Sequence, residues 1–460
     1  MSLIYRFGFL CHHLDDAPRA APRWAKLRRN WPKMQIGEFV LRLHPETRIE
    51  VHHRPEGAVA VVGDAYGQYD RSLAEIVARM PWDDPWPALG DLGGRHAILL
   101  LSGARMRAAH DPFGSRTLYY APGLRAVASH VGLLARPYGI EPDPEVAEYM
   151  AMPEYQVRTV CYLPGDLTTA TGVYGLAPNN YWDGERTHRY WPRAPVAAAT
   201  REDFYAEADR YFAAFVPFVR SRYTPVFGVT GGIDSRAAFA AFGGDFRGTS
   251  WTNNLPVAEL PIIDRIVAHL GVDHGYLRTK RFERGPVARA AGVCNGGVRP
   301  GNLLSEAMAA TYGPGHCFIR GLGGEVLRGF PAYDNRLPDL SPRSMTIAYS
   351  SGKRRCGRSP AYVAFCARAF EGFRARASYD GLEAFGIRPM DLFYWEHRMA
   401  MWGANMMNEM DPGCYSLIAF NSRPLYAAAF GLPDDQRLSK ELLATYARRH
   451  DAAMAEIEYI

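Results

Sequence analysis

Between residues 58 and 128 the chain alternates short apolar runs with turn clusters. The runs are Ala58–Val62, Ala97–Leu101, Arg107–Ala109, Leu118–Ala121 and Arg125–Ala128, broken at Asp111-Pro112-Phe113-Gly114 and Ala121-Pro122-Gly123. This spacing leaves no room for the crossover helices of a parallel sheet, so it predicts antiparallel strands. Helical patterns fall at Ser72–Arg79 and Asp143–Met152. Residues 1–195 therefore read as a mostly antiparallel α+β layer domain.

Beyond residue 200 the period changes. Arg201 to Arg220 places Phe204, Ala208, Tyr211, Phe212 and Phe215 along one helical face. A buried strand through Val226–Val229 follows, then an alanine-rich helix Arg236–Phe242 stopped by Gly243-Gly244. Strand Phe246–Thr252, helix Glu259–Leu270 with Leu260, Ile263, Val267 and Leu270 inward, and strand Val272–Leu277 complete the run. Strand, helix, strand, helix, strand predicts a parallel doubly wound sheet over residues 200–460, whose ligands bind beyond the carboxyl ends of the strands.

One turn lies at such an end: Phe227-Gly228-Val229-Thr230-Gly231-Gly232-Ile233-Asp234-Ser235. Its glycines let backbone amides approach anionic oxygens, the following helix presents unpaired N–H groups, and Asp234 offers a hard oxygen to Mg²⁺. It lacks the lysine of a Walker loop. A second glycine-rich turn, Arg320-Gly321-Leu322-Gly323-Gly324-Glu325-Val326, follows another apolar run.

Composition narrows the class. The chain has 460 residues, 48% hydrophobic and 22% charged, which fits a globular protein of two or three domains. No apolar run approaches the roughly 20 residues of a membrane helix, and Met1–Arg6 lacks a secretory h-region, so the expectation is a cytoplasmic protein with no membrane partner. Seven scattered cysteines without a C-x-x-C pair read as reduced thiols. The net charge of +5 has one dense basic cluster, Lys353-Arg354-Arg355 with Arg358, read as a solvated loop and not a nucleic-acid contact. The pairs His12-His13 and His52-His53 lack metal-ligand spacing.

The order of motifs resembles the asparagine synthetase family. In the first half the matching residues are Gly63-Asp64-Ala65-Tyr66, Leu92–Ala97, His110–Tyr120 and Ala128-Ser129-His130, with Thr171–Pro178 and Tyr190-Trp191-Pro192 similar to the family's passage between domains. The resemblance implies an N-terminal αββα Ntn-hydrolase-like sandwich over 1–195, followed by an ATP-pyrophosphatase domain over 200–460. Glutamine-using members carry a nucleophilic cysteine behind Met1; here Ser2 stands there, so no glutaminase activity is expected.

The first glycine turn resembles the S-G-G-x-D-S signature of ATP pyrophosphatases, with Thr230 for the first serine. The resemblance implies ATP held by Phe227, Gly228, Val229, Thr230, Gly231, Gly232, Asp234, Ser235, Gly321, Gly323 and Gly324, its adenine against the Phe227–Val229 backbone, and Mg²⁺ shared by Asp234 and Glu325. Asn408-Glu409-Met410 is similar to the β-lactam-forming branch, where the glutamate orients or deprotonates an amine; its tyrosine partner is replaced by Leu322. Arg437–Leu443 resembles the family's C-terminal helix start, which gives Lys440 a role at the phosphates. A second family lysine would fall about twenty residues later, beyond Ile460, with Lys280, Lys353 or Arg320 as substitutes.

The expected function is an ATP-dependent amide- or lactam-forming ligase. It adenylates a carboxylate on a small molecule or peptide and couples it to an amine, with Glu409 and Lys440 catalytic. The alternatives are an amidotransferase using ammonia or glutamine, and a non-catalytic ATP-binding homologue. Homo-oligomerisation is left open by the sequence.

Overall fold

The computed structural model describes residues 2–18, 30–69, 71–156, 162–251, 257–330, 337–350 and 359–459. The basic cluster at 353–358 and Cys161 lie outside the described residues, as does the side chain of Lys280.

In the first half, twelve strands form two six-stranded antiparallel sheets. One sheet contains β1 (Phe9–His13), β2 (Lys33–Ile36), β3 (Phe39–Leu43), β8 (Tyr119–Tyr120), β9 (Ala126–Ala128) and β10 (Tyr174–Gly175), in the order β10-β8-β9-β1-β3-β2. The other contains β4 (Ile49–Arg54), β5 (Gly57–Tyr66), β6 (Gly93–Ser102), β7 (Arg105–His110), β11 (Asn180–Trp182) and β12 (Thr187–Arg189), in the order β12-β11-β7-β6-β5-β4.

The period of two decides which residues go where. In β5 and β6, Ala58, Ala60, Val62, Ala97, Leu99 and Leu101 face the other sheet, where Phe9, Cys11, Phe39 and Leu41 meet them. The alternating residues Val59, Val61, Ile98 and Leu100 pack outward under α1 (Leu73–Arg79) and α2 (Trp86–Leu89). On the opposite outer face Leu10, Ala126 and Ala128 pack under Leu133 and Leu134 of α3 (Val131–Tyr138). The result is four layers, helix on sheet on sheet on helix, with strands apolar on both faces. The expected helices form where their caps dictate: Ser72 and Glu75 make a reciprocal capping box, and the Asp143 carboxylate accepts from the Val146 amide to start α4 (Pro144–Ala151).

The second half opens with α5 (Arg201–Arg222), capped by Thr200 and Asp203, and buries Phe204, Ala208, Tyr211, Phe212 and Phe215 as the periodicity requires. Then come β13 (Thr224–Gly228), α6 (Ile233–Phe242), β14 (Arg247–Trp251), α7 (Leu260–Leu270), β15 (His274–Leu277), β16 (His316–Arg320), α8 (Gly324–Arg328), α9 (Ala404–Met410) and β17 (Tyr415–Ile418). The five strands form one parallel sheet in the order β15-β14-β13-β16-β17. The chain leaves β13 toward β14 on one side and returns through β16 on the other, so a crevice opens where the order reverses. Phe227 anchors the floor of that crevice among Phe239, Phe242 and Phe246, with ring centroids 4.8–6.3 Å apart. Burying each such side chain contributes about 1.5–3 kcal/mol.

Two details correct the sequence reading. Helix α6 begins at Ile233, so Asp234 and Ser235 sit in its first turn and not in the loop before it. Helix α7 buries Ile262, Ile263 and Ile266, while Leu260, Val267 and Leu270 are only partly covered, so its apolar stripe is rotated from the one expected.

Polar groups weld the two halves together. Arg95 on β6 lies bidentate on Asp411 at 2.5 and 2.8 Å, both wholly buried. Asn408 donates to Thr117 Oγ1 at 2.8 Å, and Asn421 donates to Gly94 O and Asp111 Oδ1 while accepting from the Phe113 amide. Asp111 also accepts the amides of Ser115 and Arg116. The conspicuous stretch His110–Arg116 thus works as the joint between the halves.

Candidate functional site

The two glycine turns meet at the carboxyl ends of the adjacent strands β13 and β16. A Cβ on Gly321 would fall 2.8 Å from the backbone nitrogen and Cα of Ser235, and one on Gly324 would fall 2.5 Å from Asp234 Oδ1. Gly323 holds φ +93° at the start of α8, with the Phe420 carbonyl 2.3 Å from where a Cβ would stand. Only glycine allows this approach. The acidic first turns of α6 and α8 are thereby brought face to face.

No side chain caps Gly232 at the start of α6, and the first intrahelical bond is Arg236 N–H to Gly232 O at 3.4 Å. The amides of Ile233, Asp234 and Ser235 have no partner within the helix and lie at the positive end of its dipole. Beside them the Thr230 and Ser235 hydroxyls are 2.8 Å apart. Arg236 braces the turn from behind, donating to Gly231 O at 3.2 Å and to the Ile457 and Glu458 carbonyls, with Tyr459 stacked 4.1 Å from its guanidinium.

Two charged residues that sequence reasoning missed complete the turn. Glu259, at the start of α7, is buried and accepts the Gly231 amide at 2.7 Å. Arg328, at the end of α8, donates to both oxygens of Asp234, from Nε at 2.7 Å and Nη2 at 2.8 Å. The signal for Arg328 was its place three residues past Glu325 on one short helix. Glu259 carried no signal beyond opening a helix.

Glu325 is the unsettled group. Burial pushes its carboxyl up to about 7, and the Asp234 charge adds to this against the pull of Arg328 and Arg398. Its Oε2 is buried with no hydrogen-bond partner. Arg398 lies over Trp402 at 4.8 Å and Phe330 at 5.2 Å, close enough for its charge to reach Glu325. An orphaned carboxylate oxygen fits a Mg²⁺ ion carried in on a nucleotide, since such ions take one or two carboxylates together with phosphate oxygens and water. Asp234, the other expected ligand, has both oxygens engaged by Arg328.

Glu409 is buried, its Oε1 accepting from Asn295 Nδ2 at 2.6 Å and Arg299 Nε at 2.8 Å, and its Oε2 from Arg299 Nη2. With both oxygens committed, it anchors the 295–299 turn. The Val229 amide donates to Thr249 O and its carbonyl accepts from Ser250 Oγ, while Phe227 is wholly buried. Gly228 passes under Trp251 and Phe318, each within 3.4 Å of a Cβ position. Lys440 is exposed at the head of the helix Glu441–His450; the segment before it is tied to the distal end of α8 by Arg437, which donates to Leu327 O.

In the first half, Ser2 is exposed, and its hydroxyl donates at 3.4 Å to the Ile4 carbonyl. A turn with Tyr5 and Phe7 at φ 57° and 59° separates it from β1. The five described cysteines, Cys11, Cys294, Cys317, Cys366 and Cys414, are buried free thiols. Burial pushes the Cys294 and Cys414 thiols up to about 12, away from reactivity.

No protein-family model matches the chain, and no curated protein matches it. Among solved structures it is similar to glutamine phosphoribosylpyrophosphate amidotransferase from B. subtilis complexed with ADP and GMP, at 12% identity over 59% of this chain, with a TM-score of 0.22. The chain spans 60% of that protein's length, and a likeness at this level assigns neither fold nor function.

Proposed function

We propose that the protein is an ATP-dependent carbon–nitrogen ligase that activates a carboxylate as an acyl adenylate, in the manner of the asparagine synthetase family. The observation that carries this reading is the seating of Gly321 and Gly324 directly on Ser235 and Asp234. That packing brings two separate loops together around a helix start, two hydroxyls and an acidic pair.

In this reading a substrate carboxylate oxygen attacks the α-phosphorus of ATP. The bond from that phosphorus to the bridging oxygen breaks, and pyrophosphate leaves with the electron pair. The Ile233–Ser235 amides and the Thr230 and Ser235 hydroxyls receive the departing anion. A Mg²⁺ ion held through Glu325 would supply further charge neutralisation. Arg328 holds Asp234 in place, and the Arg398 charge acts on Glu325. An amine nitrogen then attacks the acyl carbon, the acyl–oxygen bond breaks, AMP departs, and the amine proton passes to solvent. Ser2 takes no part, so the nitrogen comes from an amine or ammonia and not from glutamine hydrolysed by this chain.

A second reading has its own support. Arg328 on Asp234 and Glu259 on Gly231 imitate, from within the chain, a cation and an anion at the cradle. A homologue that binds nucleotide without turnover would tolerate both.

Carboxylate-dependent ATP–pyrophosphate exchange, screened over many acids, separates the two. Exchange that disappears in Asp234→Asn supports the ligase. Nucleotide binding with no exchange under any acid supports the non-catalytic homologue, and exchange undiminished in Asp234→Asn sinks the site.

A further inference from the structure

A cavity of about 250 Å³ lies between the two halves at the opposite end of the parallel sheet from the glycine turns. Tyr223, His316 and Tyr415, which line it, stand at the amino ends of β13, β16 and β17. Four arginines reach it: Arg6, Arg48 and Arg116 from the first half and Arg222 from the second. Against these four positive charges the lining holds two carboxylates, Glu46 and Asp64, leaving a surplus of two.

The pairing is uneven. Arg6 takes both oxygens of Glu46 at 2.9 and 2.6 Å. Asp64 is shared, its Oδ1 accepting from Arg48 at 2.9 Å and Arg222 at 3.0 Å, and its Oδ2 from the Tyr223 hydroxyl. One carboxylate thus serves two guanidinium groups from different halves. Arg116 has less still: it is 1% exposed, its Nη1 donates to the Phe7 carbonyl at 3.0 Å, and its Nε is buried with no partner. Among the described residues no carboxylate pairs with it. Burial, and then the neighbouring Arg95 charge, both pull its pKa below the ordinary arginine value. A guanidinium so placed is costly to keep unless an anion answers it.

We propose that this cavity binds a tetrahedral dianionic oxyanion, inorganic phosphate or the phosphate of a small ester, which joins the two halves through Arg48, Arg116 and Arg222. Guanidinium forks arriving from several directions suit a tetrahedral group with oxygens on every side, and two negative charges match the surplus. The site is separate from the glycine turns and stands whether or not the ligase reading does.

Titration calorimetry of the full chain tests it, with inorganic phosphate and phenyl phosphate as probes in the presence and absence of saturating ATP. The expected result is one saturable site per chain that ATP does not displace. Its Kd should rise tenfold or more in Arg48→Gln and in Arg222→Gln, both partly exposed positions that leave the core intact. Asp64→Asn, which frees both arginines, should tighten binding. Arg116→Gln should weaken it, and if that variant does not fold the other three decide. Tighter binding of the ester assigns a phosphorylated metabolite, and binding of inorganic phosphate alone assigns the free ion. Absence of saturable binding, displacement by ATP, or a Kd unmoved in Arg48→Gln and Arg222→Gln overturns the proposal.

Discussion

Arg328 closes both of its hydrogen bonds on the Asp234 carboxylate, 2.7 and 2.8 Å long, so the acidic residue of the signature turn is held by a cation from the facing turn. A Mg²⁺–nucleotide complex that needs Asp234 must compete with this guanidinium. In Arg328→Gln the carboxylate is released, and half-saturation by Mg²⁺ should occur at roughly tenfold lower concentration, as expected for loss of an ion pair worth about 1.4 kcal/mol at the site. Titration of a fluorescent ATP analogue against Mg²⁺ reads the shift. An unchanged Mg²⁺ requirement would show that Asp234 takes no part in holding the metal.

The contact of Gly324 with Asp234 makes a steric prediction. A methyl group there would lie 2.5 Å from Oδ1, so Gly324→Ala should push the turns apart and cost about 1–3 kcal/mol. Nucleotide affinity should fall tenfold or more. Gly275→Ala, where nothing lies within 4 Å, should leave binding unchanged. Denaturant melts together with nucleotide titrations of the two variants make the comparison.

His96 sets an acid limit on stability. Burial pushes its pKa down to about 4 from an ordinary 6.5. The unfolded chain therefore takes up a proton below about 6.5 that the folded protein refuses until about 4, and stability falls as pH drops through that window. The loss from this group is on the order of 3 kcal/mol. Urea midpoints between pH 7 and 4 should decline steeply in the parent and less steeply in His96→Gln.

The wholly buried pair Arg95–Asp411 predicts non-additive behaviour. Asp411→Asn leaves the guanidinium without its counter-charge and should destabilise by about 3–5 kcal/mol. Removing both charges, as Arg95→Met with Asp411→Leu, should cost less than Asp411→Asn alone. A double-mutant cycle by chemical denaturation checks the order.

Ser2→Ala should leave any glutamine hydrolysis at background, since a serine hydroxyl is far less readily ionised than the cysteine thiol of glutamine-using enzymes. A glutaminase signal lost specifically in this variant would overturn that reading.

Some of the elements were legible because their signals are local, while the strands Phe9–His13, Lys33–Ile36 and Phe39–Leu43 and the helix Pro360–Arg376 were not predicted from the sequence. Alternation in β5 and β6 gave each side chain its face, Ser72, Asp143 and Thr200 started helices through their own hydrogen bonds, and the glycine turn fell between strand and helix where the apolar period changes. The facing of the two glycine turns was implied only by the family resemblance, and the close approach of Gly321 and Gly324 to the first turn is seen only in the folded chain.

The partners of charged groups were not legible. The family resemblance gives Glu409 a role toward an attacking amine, yet Arg299, more than a hundred residues earlier, holds both of its oxygens. Likewise Asp234 meets Arg328, Gly231 meets Glu259, and no carboxylate among the described residues pairs with Arg116. Residue type and local period determine which segments are buried and where a turn exposes amides, since those follow from neighbours a few positions away. Which carboxylate meets which guanidinium depends on chain segments brought together only by packing, and electrostatic energy varies with distance and burial in ways no local pattern encodes. The tertiary structure alone decided which charges were satisfied.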